Sequence, residues 1–358
     1  MAVRRSTTSR SGYELAHKKY ADLTVFYCPL DFSWAVRTAM RRIRPTLLVL
    51  AELELWPNLI LAAKGQGARI AIINGRMSDH SFPGYRRFRL LIGHLLGQID
   101  LIAAQNDESA ERFRDLGAPP ERVHVTGSLK YDGAQTDRNN PRTRTLHELA
   151  GFADDDIVFL AGSTQEPEEQ IALDIYGRLA TRHPRLRLVL VPRHPERFDA
   201  VAKLLDASKL SWHRRSQLTT RSSLLSPILL VDTIGELGAW WGTAQIAFVG
   251  GSFGNRGGQN MIEPAAYGAA VSFGPNTWNF RDVATALLAA DAAIVVHDAS
   301  ELEAFVRRAL EEPAWASALG ERAQTFVRSQ LGATGRTLAL VEALLPPAEA
   351  ELKNRSAA

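Results

Sequence analysis

Ten short apolar runs, spaced through the chain and separated by longer amphipathic stretches, restrict this sequence to few architectures. In the first half they are Thr46–Ala51, Arg69–Ile73, Leu101–Ala104 and Val123–Val125. In the second they are Ile157–Ala161, Leu186–Val191, Pro227–Val231, Ile246–Val249, Ala269–Phe273 and Ala293–Val296. Segments such as Ser109–Leu116 and Glu168–Thr181 follow a helical period. Near-continuous apolar strands alternating with helices imply parallel sheets covered on both faces. Ten strands in 358 residues are too many for one compact sheet, so an α/β chain of two doubly wound domains is expected. The polar stretch Gly133–Thr145 is the expected linker. The domains are set at 1–140 and 141–345, with C-terminal helices over Glu301–Leu345 broken near Pro313 and a tail over 346–358. Those helices can close the second domain or cross back onto the first.

Composition narrows the class. A single cysteine, Cys28, rules out a disulfide framework or a multi-cysteine metal site and fits a reducing compartment. No apolar run nears the roughly 20 residues of a membrane span, and the N-terminus has no signal-peptide core. Residues 1–150 carry 22 Lys/Arg against 15 Asp/Glu, a net of +7, whereas residues 151–358 carry 20 against 24, a net of −4. A basic first half suits an anionic partner: nucleic acid, a membrane surface or a phosphorylated acceptor. A merely solvated basic face is the alternative. No nucleic-acid recognition motif accompanies it, so no nucleic-acid partner is expected.

In open parallel sheets ligands bind beyond the carboxyl ends of the strands, so the residues there are the candidates. The densest run is Val249–Glu263, whose glycines let backbone N–H groups wrap an anion such as a phosphate. Asn260 and Glu263 sit three apart near a helix start, where a carboxylate can accept from a ribose diol. A glycine-rich surface turn is the plainer reading. Ser163 and Thr164 suit either an anion at a helix start or a cap. Arg193 stands at a strand end and suits bidentate phosphate contact. Gly235 allows close backbone approach, and Glu236 opens a helix. In the first half only one carboxylate of Glu52-Leu-Glu-Leu-Trp-Pro-Asn58 is expected to point into the cleft: Glu54, nearer the loop, with Glu52 structural or cap-like; Pro57 starts a helix, and a capped helix start without chemistry is the alternative. Arg76 with Ser78 can hold an anion, as can Lys130. There is no P-loop, no first-strand dinucleotide fingerprint and no Asp-x-Asp or His cluster, so no cofactor and no metal are expected.

These motifs, together with Asn74-Gly-Arg-Met-Ser78, Thr126-Gly-Ser-Leu-Lys130, Val191-Pro-Arg-His-Pro-Glu-Arg-Phe198, Asp232-Thr-Ile-Gly-Glu-Leu237, Gly257-Gly-Gln-Asn260 and Phe273-Gly-Pro-Asn-Thr-Trp-Asn-Phe280, resemble the 3-deoxy-D-manno-octulosonic acid (Kdo) transferases of lipopolysaccharide synthesis. The resemblance runs from about Ser6 to about Leu344. It implies a GT-B glycosyltransferase with two Rossmann-like domains facing a cleft. It implies a CMP-Kdo donor, a tetraacylated lipid A precursor as acceptor, and inversion. Glu54 and Lys130 match positions for transition-state stabilisation. By resemblance, Pro192, Arg193, Ile234, Gly235, Glu236, Asn260, Met261, Ile262 and Glu263 bind CMP; Ser163, Thr164, Gly257, Gly258, Asn279 and Arg76 complete the expected substrate-binding set. The family reading also implies peripheral or monotopic contact with an anionic membrane at the cytoplasmic face of the inner membrane. Arg86, Arg87 and Arg89, interleaved with Tyr85, Phe88 and Leu90, are the candidate patch, or simply a solvated helix face.

Two departures stand out. Gln259 replaces a usual His and cannot titrate. In the family, the segment matched by Thr7-Thr-Ser-Arg-Ser-Gly12 follows an anchoring N-terminus, a first strand and a Gly-Glu-Val whose Glu is the general base. No residue here matches it, so the first domain is expected to be incomplete at its N-terminus, with an unpaired sheet edge. A base contributes about 10²–10⁴-fold. The chain is then a truncated start of an active enzyme or a decayed copy, and the intact motif set favours the first. A non-catalytic CMP-sugar or lipid A binding remnant, and a GT-B transferase using another nucleotide sugar, are the alternatives.

Overall fold

The computed structural model describes residues 3–218 and 226–345, and groups them into two compact units. The first comprises the described residues up to Asp132 and from Gly332 onward; the second is Gly133–Leu331. The division falls eight residues before the expected boundary, and the last helix belongs to the first unit rather than the second. The tail expected over 346–358 lies outside the described residues.

The first unit runs β1 (Arg4–Thr7), α1 (Arg10–Lys19), β2 (Thr24–Tyr27), α2 (Ser33–Ile43), β3 (Leu47–Ala51), α3 (Pro57–Gly65), β4 (Arg69–Gly75), α4 (Phe82–Arg87), α5 (Arg89–Leu96), β5 (Leu101–Ala104), α6 (Asp107–Asp115) and β6 (Val123–Val125). Strands β3-β4-β5-β6 form one parallel sheet in chain order. β1 and β2 pair in a separate two-stranded sheet, and among the described residues β3 pairs only with β4. Ile60, Ile70, Ile72, Ile102 and Phe113 pack the core against this sheet.

Pro57 opens α3 as the sequence predicts, since a first-turn proline gives up no helical N–H bond. Its cap comes from elsewhere. The Asp31 carboxylate accepts from the N–H groups of Asn58 (3.0 Å) and Leu59 (2.9 Å), a carboxylate at the positive helix end.

The second unit continues with α7 (Pro141–Ala150), β7 (Ile157–Thr164), α8 (Glu168–Leu179), β8 (Leu186–Pro192), α9 (Phe198–Ser208), β9 (Trp212–Arg214), β10 (Ile228–Leu230), α10 (Leu237–Trp240), β11 (Ile246–Val249), α11 (Ile262–Ala266), β12 (Ala270–Phe273), α12 (Arg281–Ala289), β13 (Ile294–Val295), α13 (Ala299–Glu311) and α14 (Pro313–Gln330). Its parallel sheet has the order β13-β12-β11-β7-β8-β10-β9. The connections run outward in opposite directions from β7, so the switch point lies at the carboxyl ends of β7 and β11. Phe159, Phe248, Leu188 and Leu190 anchor the core.

The expected linker is tightly held. Asn140 caps α7 by accepting from the Thr143 N–H (3.0 Å). Arg138 donates to the carbonyls of Tyr267, Gly242 and Ala244.

Gly320 lets α14 press on the Gly268–Ala269 turn. A Cβ there would lie inside contact distance of the Gly268 carbonyl oxygen and 2.8 Å from its carbon. Backbone cannot rotate away, so Gly320→Ala is expected to cost about 2–3 kcal/mol, read as a fall in the thermal midpoint. A change below about 0.5 kcal/mol would show that the turn yields freely.

α15 (Ala333–Glu342) returns to the first unit. Asp132 receives its N-terminal N–H groups, from Gly332 (2.7 Å), Ala333 and Thr334. Burial opposes ionisation of Asp132, but the bonds from Thr334, Gly332 and Ala333 outweigh it and hold its pKa below the usual range.

Candidate functional site

Each unit places its candidate residues at the carboxyl ends of its strands, where backbone irregularities concentrate. Non-glycine residues with positive φ occur at Glu52 (58°) after β3, Asn74 (54°) near the end of β4 and Ser163 (54°) near the end of β7. The registers of β4 with β5 and of β7 with β8 shift at these last two points. Such conformations cost about 1–3 kcal/mol and persist only where the surroundings enforce them.

In the first unit, Glu54 is exposed and its carboxylate accepts from the Trp56 indole N–H. The positive φ of Glu52 turns the chain after β3, so Glu52 and Glu54 do not lie on one extended segment, where residues two apart would share a face. Lys130 is exposed on a loop held from two sides. The Asn74 side-chain oxygen accepts from the Leu129 N–H (3.1 Å), and Arg336 on α15 donates to the Thr126 carbonyl (2.8 Å). Ser78 shares a hydrogen bond with the Ser81 hydroxyl (3.0 Å) and accepts from the Ser81 N–H, which makes it a turn residue beside half-buried Arg76.

In the second unit the ends of β7, β8, β10, β11 and β12 supply the remaining candidates. Ser163 and Thr164 are buried, and the Thr164 hydroxyl has no hydrogen-bond partner among the described residues. The Arg193 N–H donates to the Thr164 carbonyl (3.0 Å), fixing the chain as it leaves buried Pro192 while the Arg193 side chain stays exposed. Glu263 is half-buried on α11. Asn260 donates to its Oε1 (3.0 Å), so the two neighbouring candidates bond to each other. Burial raises the Glu263 pKa, while Asn260 and the nearby Arg193 charge work against the rise.

Glu236 differs from the sequence expectation. Arg215 grips it bidentately (2.9 and 2.8 Å), and Thr233 (2.7 Å) and Trp240 (3.3 Å) add two more donors. With its oxygens engaged, this carboxylate shapes the turn that presents exposed Ile234 and Gly235 (φ 84°). Glu263 carries fewer donors: Asn260 on Oε1, with the Trp241 indole beside the carboxylate. The side chains of Met261 and Ile262 are fully buried, so only their backbone can meet a ligand.

The glycine-rich turn also departs from expectation. The N–H groups of Gly251, Ser252 and Phe253 do converge on an anion, but it is the protein's own Glu168 carboxylate. Gly250 is required by closeness: a Cβ would sit 2.6 Å from Glu168 Oε2 and 2.7 Å from Thr164 Cα. Further along, Gly257 and Gly258 adopt φ of 80° and 75°, which only glycine takes readily. The segment after β12 clasps this turn. Asn279 donates from its side chain to the Arg256 carbonyl (2.6 Å) and from its backbone to the Gly257 carbonyl (2.9 Å). Asn279 is therefore a clasp for the turn.

A cavity of about 430 Å³ opens among these loops, with Gln165, Glu168, His194, Arg197, Gly251 and Arg256 on its walls. Arg197 is held there by Glu169 and Glu166. Glu168, Arg197 and Arg215 escape sequence reading because their partners are distant along the chain. The available signal was an acidic first helical turn directly after a Gly-Ser-Thr strand end.

Residues 1–133 match the family model for 3-deoxy-D-manno-octulosonic-acid transferase. The chain is 37% identical over 319 residues to the 3-deoxy-D-manno-octulosonic acid transferase of Bordetella pertussis, covering 88% of this chain and 73% of that one. To the transferase of the same description from Haemophilus influenzae it is 32% identical over 349 residues, covering 96% and 81%. A crystal structure of UDP-GlcNAc 2-epimerase from Neisseria meningitidis, bound to UDP-GlcNAc, superposes with a TM-score of 0.61 at 12% identity, over 95% of this chain and 91% of that one. That likeness is one of fold.

Proposed function

This chain belongs to the Kdo transferase family of glycosyltransferases, and on that premise we propose that it moves Kdo from CMP-Kdo to a tetraacylated lipid A precursor with inversion. The observation that carries the reading is the placement of Glu263 within the field of the Arg193 charge at the carboxyl end of the second sheet. There Arg193 offers a cation to the nucleotide phosphate, and Glu263 offers its carboxylate to the ribose diol. The Ile234–Gly235 turn and the backbone over Asn260–Ile262 complete the nucleotide's surroundings. In the first unit Glu54 and Lys130 stabilise charge that develops in the transition state.

The test is acceptor-dependent CMP release from CMP-Kdo, with CMP, UDP and GDP as competitors. Release that CMP alone inhibits is expected. CMP binding without release would leave a binding protein, and inhibition by UDP or GDP instead would assign another donor.

A pH dependence follows from Glu263. A diol hydrogen bond favours the ionised carboxylate, and burial raises its pKa. CMP affinity should therefore be full above that raised pKa and weaken as pH falls through it, with a midpoint above the ordinary glutamate value of 4.5. Titration calorimetry across the acid range reads this directly. A midpoint at or below the ordinary value would remove Glu263 from the contact.

The acceptor reading draws support from α4 and α5. Phe88, Leu90 and Leu91 are 62%, 93% and 58% exposed beside exposed Arg86, Arg87 and Arg89. Contiguous exposed apolar residues flanked by cations suit a peripheral seat on an anionic membrane, at about 1 kcal/mol per cation near the surface. No helix among the described residues is long and apolar enough to cross a membrane. We place this seat on the cytoplasmic face of the inner membrane. Binding to anionic vesicles that falls with salt and with Leu90→Glu tests it; equal binding to neutral vesicles would count against it.

A further inference from the structure

Glu168, the first residue of α8, is 1% exposed. Its Oε2 accepts from the N–H groups of Gln165 (2.9 Å) and Gly251 (2.7 Å), and its Oε1 from those of Ser252 (2.9 Å) and Phe253 (3.0 Å). Four backbone donors thus converge on two oxygens, a geometry otherwise used to seat a phosphate or another external anion.

The carboxylate joins the two loops that flank the switch point. Gln165 belongs to the turn leaving β7, and Gly251–Phe253 to the turn leaving β11. The restraint passes further. The Gly251 carbonyl accepts from the Gly258 N–H (2.8 Å). Ser252 Oγ accepts from the Gly274 N–H (2.8 Å), and the Phe253 carbonyl accepts from the Asn276 side chain (3.1 Å). Three strand exits are thereby tied to one side chain, and both Glu168 and Gly251 line the 430 Å³ cavity. Burial pushes the Glu168 pKa up and the four N–H donors work against that rise; with two donors on each oxygen, neither oxygen has a lone pair turned to a proton of its own.

We propose that Glu168 is a positioning residue for the nucleotide donor: a built-in anion that occupies the glycine turn, holds Gly251–Gly258 in shape, and leaves the donor phosphate to Arg193. This rests on the CMP-Kdo reading above.

The experiment compares Glu168→Ala and Glu168→Gln with the unaltered protein, titrating CMP with and without sodium formate against sodium chloride at equal ionic strength. Losing four hydrogen bonds should weaken CMP binding by Glu168→Ala tenfold or more. Formate should restore most of that loss by entering the vacated seat, and chloride should not. Glu168→Gln should bind CMP as weakly and gain nothing from formate, because its amide fills the seat and turns an NH₂ toward two N–H donors in either orientation. Unchanged CMP affinity in folded Glu168→Ala, or a loss that formate leaves untouched, overturns the proposal. If the unaltered protein fails to bind CMP, the donor reading falls. Amide exchange at Gly251–Phe253 then decides the seat on its own: faster exchange in Glu168→Ala that formate slows supports it, and unchanged exchange overturns it. If Glu168→Ala does not fold in buffer, recovery on refolding in formate supports the proposal and failure to recover overturns it.

Discussion

Arg138→Ala should lower the unfolding free energy of the second unit by about 3–5 kcal/mol, since each carbonyl left unpaired in the interior costs about 1–3 kcal/mol. The guanidinium donates from Nε to the Tyr267 carbonyl (2.6 Å), from Nη1 to Gly242 (3.2 Å) and from Nη2 to Ala244 (2.7 Å). These carbonyls lie where short helical turns end, so no backbone N–H remains to satisfy them. Burial pulls the Arg138 pKa down to about 10, which still leaves it charged at neutral pH. Lysine has a point charge in place of a planar fork and cannot reach all three, so Arg138→Lys should recover only part of the loss. Urea unfolding would show a lower midpoint at constant slope. A shift worth less than about 1 kcal/mol would mean that water replaces the arginine at little cost.

Lys130→Ala should reduce the rate of Kdo transfer by about 10²–10³-fold, the usual effect of deleting one preorganised charge or donor at a transition state. Its CMP affinity should be unchanged. The expectation rests on how the loop is held. Asn74 fixes Leu129, Arg336 fixes Thr126, and Asp132 is anchored to the start of α15. A flexible side chain on a restrained backbone reaches one place reproducibly. Turnover should fall with little change in KM for the donor. A parallel loss of CMP affinity would move Lys130 to donor binding, and an unchanged rate would remove it from the chemistry.

All ten apolar runs become strands; β5, β10, β11 and β12 are buried throughout, and a strand buried on both faces must be apolar nearly throughout, while β3, β6 and β13 are apolar though partly exposed. The three strands not foreseen break that rule. Arg4–Thr7, Thr24–Tyr27 and Trp212–Arg214 carry charged or polar side chains and lie in a two-stranded pair or at a sheet edge. Arg193, Glu236 and Glu263 do lie beyond the carboxyl ends of strands, and the contact of Asn260 with Glu263 is local, three residues apart. What failed was tertiary. Glycines at 250 and 251 read as an invitation to an external anion, yet the anion comes from Glu168, 83 residues away from Gly251. Glu236 read as available, yet Arg215 takes its carboxylate from 21 residues upstream. Polar residues around Arg138 read as a loose connector, because the three carbonyls that hold it are contributed by residues more than 100 positions later.

The return of α15 to the first unit has a consequence for how the protein is made. Residues 133–331 intervene, so a ribosome completes the whole second unit before it releases the helix that the first unit awaits. Until then the Asp132 carboxylate has no helix N-terminus to accept from, and the Thr126 carbonyl lacks Arg336. The nascent first unit must therefore persist unfinished at its Lys130 corner while its neighbour folds. Residues 133–331 form the segment to express alone. A fragment ending at Asp132 would expose the seat that α15 fills, and adding the 332–345 segment as a separate peptide is the natural way to restore it.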